Sequence, residues 1–344
     1  MILRKDCNMR LIKIYKQVHI YTIVLLSTFV VKGQETMFQA MQLTTDLRLS
    51  IIADWDTVRN LYGETECDAK TIINDVDWKS QLRLRGVSRR RKCDSMLIPL
   101  RLQFKKKELR KAGFKEFRNH KIVTCCLEND AGHENLQEEI LIYQLYQILT
   151  DQSFRSVEAE LTMRWPDDVN PQKITPILIL EPNKEMANRL GGIEVEAYNF
   201  PADSLDAESY NRNAMFQFMV GNFDWTQSSQ RNIKMIRVGA KVLIVPYDFD
   251  FSAIVSPAYA SIPPDLGIKD FKDRIYLGEF FIDQIPATRA EFIGKKEEIY
   301  EHVLNFEGLK KYRRKEIKKY LGIFFNYIQK PNSPIAYKTI LPFK

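Results

Sequence analysis

Four acidic and amide side chains occur within residues 221–252, where their types and spacing could bind a metal ion. They are Asp224, Asn232, Asp248 and Asp250. Apolar runs at residues 233–238 and 242–245 flank Gly239, and this pattern predicts a short β-hairpin. The hairpin would hold the first two side chains at one end, with the other two close by. Carboxylate and amide oxygens are the ligands that Mg²⁺ prefers, so the stretch predicts a magnesium site. The alternative is a pair of acidic surface turns, because Asp and Asn are common turn residues.

The order of these residues resembles the catalytic layout of protein kinases, in which a loop Asp, a later loop Asn and a hairpin precede an Asp-Phe pair. More narrowly, the chain resembles the secreted atypical kinases of the spore-coat CotH type and their relatives in Bacteroidetes-like bacteria. The resemblance covers roughly residues 44–260 by order of elements and is sharpest at residues 181–192 and 222–252. It departs from the kinase pattern because no His-Arg pair precedes Asp224 and the spacing to the Asn is longer.

The resemblance implies a role for each of the four side chains. Asp224 would accept or orient the proton of the attacking hydroxyl group. Asn232 would bind a metal ion, and Asp248 would be the principal Mg²⁺ ligand. Asp250 occupies the position after Asp-Phe where kinases have a glycine, and it would be either a second metal ligand or a capping residue.

Residues earlier in the chain are assigned to the nucleotide by the same resemblance. Lys121, at the start of a predicted strand, would contact the α- and β-phosphates, and Glu138 or Glu139, on the following helix, would hold that lysine. Arg101, on the preceding strand, is a rival for the phosphate contact. Glu181 ends an apolar strand that resembles the hinge between kinase lobes, where the adenine ring binds.

A basic run at residues 89–92 follows Arg85-Gly86 at the place of the nucleotide-covering loop of kinases. The run would either meet phosphate groups or form a solvated turn. The stretch has a single glycine and is not the usual glycine-rich loop.

Hydrophobic periodicity predicts an α+β protein. Strands are predicted at residues 47–53, 81–85, 97–104, 120–126, 154–163 and 173–180, and helices at 135–150, 185–190, 207–220, 287–304 and 309–328. With the resemblance, these elements imply a two-lobed protein-kinase-like fold. Residues 34–182 would form an N-terminal lobe with an antiparallel sheet and one helix, and residues 183–344 a mainly helical C-terminal lobe.

The N-terminus has the features of a signal peptide. Basic residues within 4–16 precede an apolar run at 20–31, and short residues precede Gln34. We expect removal of residues 1–33 on export to the periplasm or the extracellular space, although an uncleaved N-terminal anchor is the alternative. The apolar run is shorter than the about 20 residues that a transmembrane helix needs. These residues hold six Lys or Arg and one Asp, a net +5 of the formal +7, so the basic balance gives no argument for nucleic-acid binding.

Four cysteines remain after that cleavage: Cys67, Cys93, Cys125 and Cys126. An even number in an oxidising compartment favours disulfides or buried thiols over a zinc site. Cys93 precedes one predicted strand and the adjacent pair ends another, and neighbouring strands would bring them within bonding distance. We therefore predict a disulfide between Cys93 and either Cys125 or Cys126.

The sequence thus suggests an exported protein that binds ATP with Mg²⁺ or Mn²⁺ and transfers a phosphoryl group to a hydroxyl of an exported protein. The expected partners are the nucleotide and the acceptor, with neither nucleic acid nor, after cleavage, a membrane. One alternative is an inactive kinase-like binding module of the cell envelope, favoured by the scarcity of ATP outside the cell. Another is a nucleotidyl transferase on the same fold. The lysine-rich last helix either meets an anionic membrane or is a solvated face.

Overall fold

The computed structural model describes residues 35–86, 93, 97, 99–167 and 172–343. The predicted signal peptide, its anchor alternative and the basic run at residues 89–92 lie outside these residues. Within the described part of the chain, no helix is both long and apolar enough to cross a membrane.

The described chain alternates short strands and helices in its first half and becomes mainly helical in its second half. The strands are β1 (Arg48–Ile52), β2 (Cys67–Ile73), β3 (Val76–Leu84), β4 (Leu100–Phe104), β5 (Asn119–Thr124), β6 (Ser156–Arg164), β7 (Lys173–Leu180), β8 (Ile193–Val195), β9 (Ile233–Val238), β10 (Lys241–Pro246), β11 (Arg274–Ile275) and β12 (Ile340–Leu341). The α-helices are α1 (Met37–Gln42), α2 (Trp55–Arg59), α3 (Lys106–Lys111), α4 (Asp130–Leu149), α5 (Asn183–Arg189), α6 (Ala207–Val220), α7 (Ile285–Gly294), α8 (Lys296–Asn305) and α9 (Lys311–Ile328).

Strands β1 to β7 close into a barrel with the order β1-β2-β3-β4-β5-β7-β6. Neighbouring strands are antiparallel except β1 and β6, which pair in parallel with Arg48 opposite Glu160 and Ile52 opposite Arg164. This parallel pairing closes the sheet. The expected two-lobed protein-kinase-like fold with an antiparallel N-terminal sheet is therefore wrong, because the sheet is mixed and closed.

Two pairings explain the closure. A turn at Asn74 and Asp75, both with left-handed backbone (φ 50° and 61°), joins β2 to β3, and β2 then pairs with β1. Such two-residue turns are typical of hairpins, yet no strand is predicted from the sequence at residues 67–73. In addition, β5 pairs with β7 rather than with β6, so β6 is left to meet β1. Closure removes the open strand edges that a flat sheet would present.

The interior of the barrel forms one of two large apolar cores. Side chains from alternate positions of the strands fill it, as the pleat of a strand requires, and α1 and α2 add to it. Its members include Leu49, Ile51, Leu82, Leu84, Leu100, Leu102, Phe104, Ile122, Leu161, Met163, Ile177 and Ile179.

The second core joins the outer face of the barrel to the helices of the second half. Helix α4 lies between them, with side chains buried on most of its surface, and α6 to α9 and the β9–β10 hairpin complete this core. The hairpin pairs Lys241 with Val238 and Pro246 with Ile233, so the hairpin predicted from the sequence is confirmed. Strand β8 extends it to three strands.

A disulfide joins Cys93 to Cys126, just past the end of β5. The predicted bridge from Cys93 to one member of the adjacent pair is confirmed. Cys67 and Cys125 are free thiols. Cys125 is buried, with its Sγ 3.2 Å from the Thr175 hydroxyl, because successive residues at a strand end face opposite sides.

Candidate functional site

A row of three cations crosses the outer face of the barrel. Arg83 on β3 lies directly opposite Arg101 on β4, which lies directly opposite Lys121 on β5. Their neighbours in the sequence, such as Leu82 and Leu102, belong to the barrel core, so the three cations face outward. We call these three residues the cationic row. Like charges directly opposite each other on neighbouring strands repel, which makes the row unfavourable unless an anion compensates it.

Lys121 is the most buried member of the row, with 7% of its surface exposed. Its Nζ lies 4.1 Å from the ring centre of Tyr247 and 4.9 Å from that of Phe154. Among the described residues the Nζ has no hydrogen-bond partner. Burial, with the nearby charges of Arg85 and Lys234, lowers the pKa of Lys121 well below its usual value. A buried ammonium group without a partner is costly, and a bound anion would remove that cost.

Arg85 follows the end of β3 and adds a fourth cation next to the row. Burial lowers its pKa, and Asp248 is the acidic group that most opposes this shift. No described residue forms a hydrogen bond or an ion pair with the side chain of Arg85 or of Arg101. Arg83, by contrast, pairs with the exposed carboxylate of Glu64. Among the described residues, Lys121, Arg85 and Arg101 thus have no hydrogen-bond or ion-pair partner, although the charge of Asp248 acts on Lys121 and Arg85.

Asp224 and Asn232 lie in the loop that joins α6 to β9 and contact each other. The amide nitrogen of Asn232 donates to the backbone oxygen of Asp224 at 2.6 Å and to its Oδ2 at 3.0 Å. Arg231 Nη1 lies 3.3 Å from the other carboxylate oxygen. Burial raises the pKa of Asp224, while Arg231 lowers it and Asp248 raises it further. The Asp224 carboxylate is thus held in place by two side chains and lies near a second carboxylate.

Asp248 follows β10, next to Tyr247, whose backbone N–H donates to the backbone oxygen of Asn232 at 3.0 Å. The backbone N–H of Asp248 donates to the hydroxyl of Tyr143 on α4 at 2.8 Å, and the φ of Asp248, 64°, is left-handed. Its charge acts on Arg85, Lys121 and Asp224. Strained backbone of this kind is held in place by surrounding structure and is often found at functional sites. The geometry thus brings Asp224, Asn232 and Asp248 together opposite the cations.

Asp250 is turned toward the protein interior. Its side chain is 5% exposed, and its Oδ2 accepts a hydrogen bond from the Tyr259 hydroxyl at 3.0 Å. Over the described residues, no group of three or more His, Cys, Asp or Glu side chains is arranged to hold a metal ion. Two carboxylates and one amide, from Asp224, Asp248 and Asn232, are the ligands that the site offers.

The two helix glutamates have different surroundings. Glu138 is buried and forms a close ion pair with Arg313 of α9, and burial raises its pKa to about 8 despite the guanidinium. Arg313 also donates to the backbone oxygen of Ile254 at 2.6 Å. Glu139 is buried one residue further on, and burial, followed by the charge of Glu139, raises the pKa of Tyr143. The structure thus pairs Glu138 with the C-terminal helix rather than with the strand lysine.

Glu181 is buried at the end of β7. Arg189 donates to both of its carboxylate oxygens, with Nε 2.9 Å from Oε1 and Nη2 2.8 Å from Oε2. The backbone N–H of Arg155 donates to Oε2 at 3.2 Å. Two-pronged pairs of this kind hold a carboxylate firmly. Glu181 therefore links β7, β6 and α5, and its carboxylate is occupied by the protein itself.

Several site residues carry no motif in the sequence. Tyr247 and Tyr143 shape the surroundings of Lys121 and Asp248, and Lys234 on β9 pairs with Glu194 on β8 at 2.8 Å. Alternation of charged and apolar residues marks the outward positions of β3, β4 and β5, and it could have pointed to the row. The register that aligns these positions is a property of the folded barrel.

No protein-family model matches this chain, and no curated protein is significantly similar to it in sequence. The resemblance to spore-coat kinases therefore stays a prediction from short motifs. The site itself combines cations on the barrel, one of them without a hydrogen-bond partner among the described residues, with two carboxylates and an amide near the β9–β10 hairpin.

Proposed function

We propose that the protein binds a nucleotide with Mg²⁺ or Mn²⁺ between the barrel and the β9–β10 hairpin and transfers a phosphoryl group to a protein hydroxyl. One observation carries this proposal: the buried Nζ of Lys121 has no hydrogen-bond partner among the described residues, and the charge of Asp248 acts on both Lys121 and the neighbouring Arg85. Metal-bound polyphosphates need cations for their oxygens and a carboxylate for the metal ion. Lys121, Arg85 and Asp248 would supply both.

Lys121 and Arg85 would bind the phosphate oxygens. An ammonium group serves as a point charge, whereas a guanidinium group can hold two oxygens at once. Phosphate binding would also give the buried amine the counter-charge that it lacks. The rings of Tyr247 and Phe154 keep the amine in place.

Asp248 and Asn232 would hold the metal ion. The amide nitrogen of Asn232 is used by Asp224, so its oxygen is the atom that it offers to a ligand. Mg²⁺ binds few protein groups and keeps water and phosphate oxygens as its other ligands, which fits a site with few acids. When bound, the ion would neutralise the charge that develops on the transferred group.

Asp224 would orient the acceptor hydroxyl. Asn232 and Arg231 fix its carboxylate, and burial together with Asp248 raises its pKa toward that of an effective general base. As the hydroxyl oxygen attacks the γ-phosphorus, its proton would pass to Asp224. The bond between the γ-phosphorus and the β-phosphate oxygen would break, and the nucleoside diphosphate would leave.

Nucleotide binding without transfer is a second candidate, favoured by the ion pair between Arg231 and Asp224. A carboxylate that is paired with a guanidinium is a weaker base. In that case the site would bind the nucleotide, and Asp224 would serve only to hold the loop.

We also propose that the protein is exported. The disulfide between Cys93 and Cys126 supports this, because such bonds persist in oxidising compartments and are rare in the cytosol. The signal peptide predicted at residues 1–33 would direct the export. The intact mass of protein recovered outside the cytoplasm tests it, with cleavage near Gln34 expected.

The function is tested by adding ATP to the purified protein with Mg²⁺, with Mn²⁺ or with a chelator. We expect a metal-dependent rise in the unfolding temperature, since a ligand that binds only the folded state stabilises it. Label from γ-phosphate and from α-phosphate then separates phosphoryl from nucleotidyl transfer. A thermal shift without label transfer would select the binding module, and no shift with either metal would contradict both candidates.

A further inference from the structure

Two members of the cationic row, Arg83 and Arg101, extend from the proposed nucleotide site to the surface. Burial and Arg83 lower the pKa of Arg101, and the acids that act most on Arg101 are Glu194 and Glu66. The acid that acts most on Arg85 is Asp248. Asp248 acts on Lys121 as well, after Glu194. We call Lys121 and Arg85, on which Asp248 acts, the inner pair, and we call residues 247–250 the acidic loop. Arg101 and Arg83, which line a surface cavity, are the outer pair.

The outer pair lines a cavity of about 410 Å³ that also contains Arg85, Tyr62 and Glu64. This volume lies in the range of ligand pockets. Its outer wall belongs to a surface turn in which Tyr62 is 83% exposed and the Glu64 side chain 80% exposed. A cavity with such a wall is open to a chain that passes along the surface, and a tyrosine ring at its mouth offers an apolar face for packing.

The contact with Glu64 shows that the outer pair can bind a carboxylate group. The carboxylate of Glu64 is paired with Arg83, while Arg101 directly across the sheet has no described partner. An ion pair with so exposed a carboxylate contributes little to stability, so another carboxylate can replace Glu64 at small cost. With Glu64 displaced, the two guanidinium groups would offer adjacent binding positions for acidic groups.

We propose that Arg83 and Arg101, together with Tyr62, form a second anion subsite that binds an acidic segment of the acceptor polypeptide. The subsite rests on the proposed function for the nature of the acceptor. Because Arg85 belongs to the inner pair and also lines the cavity, the bound segment would run toward the proposed nucleotide site. Acidic residues beside the acceptor hydroxyl would thus determine which polypeptides are modified.

Binding of a labelled peptide tests the subsite without nucleotide or metal. The probe is a fluorescent peptide with one Ser among Glu residues, and the comparison peptide has Gln at each Glu position. Anisotropy should show binding of the acidic peptide alone, and added salt should weaken it. Arg83→Ala and Arg101→Ala should each weaken it about tenfold, whereas Lys107→Ala, on the exposed side of α3, should leave it unchanged.

Glu64→Gln gives the sharper result, because it removes the competing carboxylate. We expect the acidic peptide to bind about threefold more tightly, or about 0.6 kcal/mol, while Glu307→Gln, an exposed control, has no effect. Arg101→Lys keeps the charge without the two-pronged geometry and should fall between Arg101→Ala and the unchanged protein. Unfolding temperatures of all variants show whether each is folded.

Equal binding of the two peptides, or no effect of Arg101→Ala in a folded variant, would overturn the subsite. Binding of inorganic phosphate with the same dependence on Arg83 and Arg101, without peptide binding, would also overturn it in favour of a small anion. If ATP binds and the acidic peptide does not, the subsite alone is wrong. If the peptide binds and ATP does not, the subsite stands and the proposed nucleotide site is wrong.

Discussion

His120 and Lys121 are adjacent residues on β5 that face opposite sides of the barrel wall. Both are buried, neither has a hydrogen-bond partner among the described residues, and burial lowers the pKa of both. His120 faces the apolar interior, where the ring of Phe104 lies 5.3 Å away edge-on. Lys121 faces aromatic rings, other cations and the acidic loop. The same burial and the same missing partner therefore occur in two different surroundings.

The surroundings indicate which of the two groups awaits a ligand. Inside the barrel, the imidazole can stay neutral, and its cost is a loss of stability. Outside, the ammonium group lies directly opposite Arg101, which lines a surface cavity, so an anion that enters there can approach both cations. A buried polar group without a hydrogen-bond partner thus indicates a binding site only where the group is charged and a ligand can reach it.

The largest expected effects, on ATP binding and on transfer, are those of changes at Asp248 and Asp224, which lie on the Lys121 side of β5. Asp248→Asn removes the charge while keeping a side chain that tolerates the left-handed backbone, and it should abolish metal-dependent ATP binding. Asp224→Ala should leave ATP affinity nearly unchanged and lower transfer about 10³-fold, because its contact is with the acceptor. Calorimetry and label transfer measure the two, with the exposed Asp283→Ala as control. Loss of ATP binding in Asp224→Ala would contradict the assigned roles.

The adjacent cysteines past the end of β5 also differ from each other, because Cys126 is in a disulfide and Cys125 is a free thiol. Replacing Cys93 and Cys126 by Ser opens a bridge between residues 33 positions apart and should lower the free energy of unfolding by about 3–4 kcal/mol. Cys67→Ser, at a free thiol, should change it little. Denaturant titration under oxidising conditions measures both. Equal stability of the bridged and unbridged proteins would argue against a structural role for the bond.

The pH dependence of stability should report His120 on the inner face. Burial lowers its folded pKa to about 4, below the unfolded value of 6.5, so the unfolded chain binds more protons between these values. Stability from this group is complete above pH 6.5 and is lost as the pH falls toward 4, by about 3 kcal/mol. His120→Leu should remove this dependence and leave ATP affinity unchanged. Denaturant titrations from pH 4 to 7 measure it, and an unaltered pH profile would contradict the assignment.

The corresponding substitution on the outer face is Lys121→Met. Its expected effect, on the free energy of ATP binding, is the smallest of the four. It should weaken ATP binding tenfold to hundredfold, since a hydrogen bond to a charged group contributes about 1.5–3 kcal/mol. It should not lower the unfolding temperature, because it removes an unpaired buried charge. The exposed Lys107→Met serves as a matched control. A destabilised variant with normal ATP affinity would make Lys121 equivalent to His120.

Local patterns in the sequence were sufficient for many of the elements. The helix predicted at residues 207–220 is α6, the strand at 173–180 is β7 and the hairpin around Gly239 is β9 and β10. Periodicity of apolar residues determines such elements, since each buries one side against a core. The disulfide also followed from local information, because Cys93 and the adjacent pair border strands that became neighbours.

The closed barrel and the composition of the site depended on long-range pairing. Alternation shows which residues of a strand face outward, but whether β6 meets β1 and whether Arg83, Arg101 and Lys121 align is decided by pairing between strands. The partners of Glu138 and Glu181 were likewise set by packing against α9 and α5. The sequence by itself determined which residues are charged and where strands and helices begin. Only the tertiary structure decided which charges became neighbours and which lack a counter-ion, because these depend on contacts between distant segments.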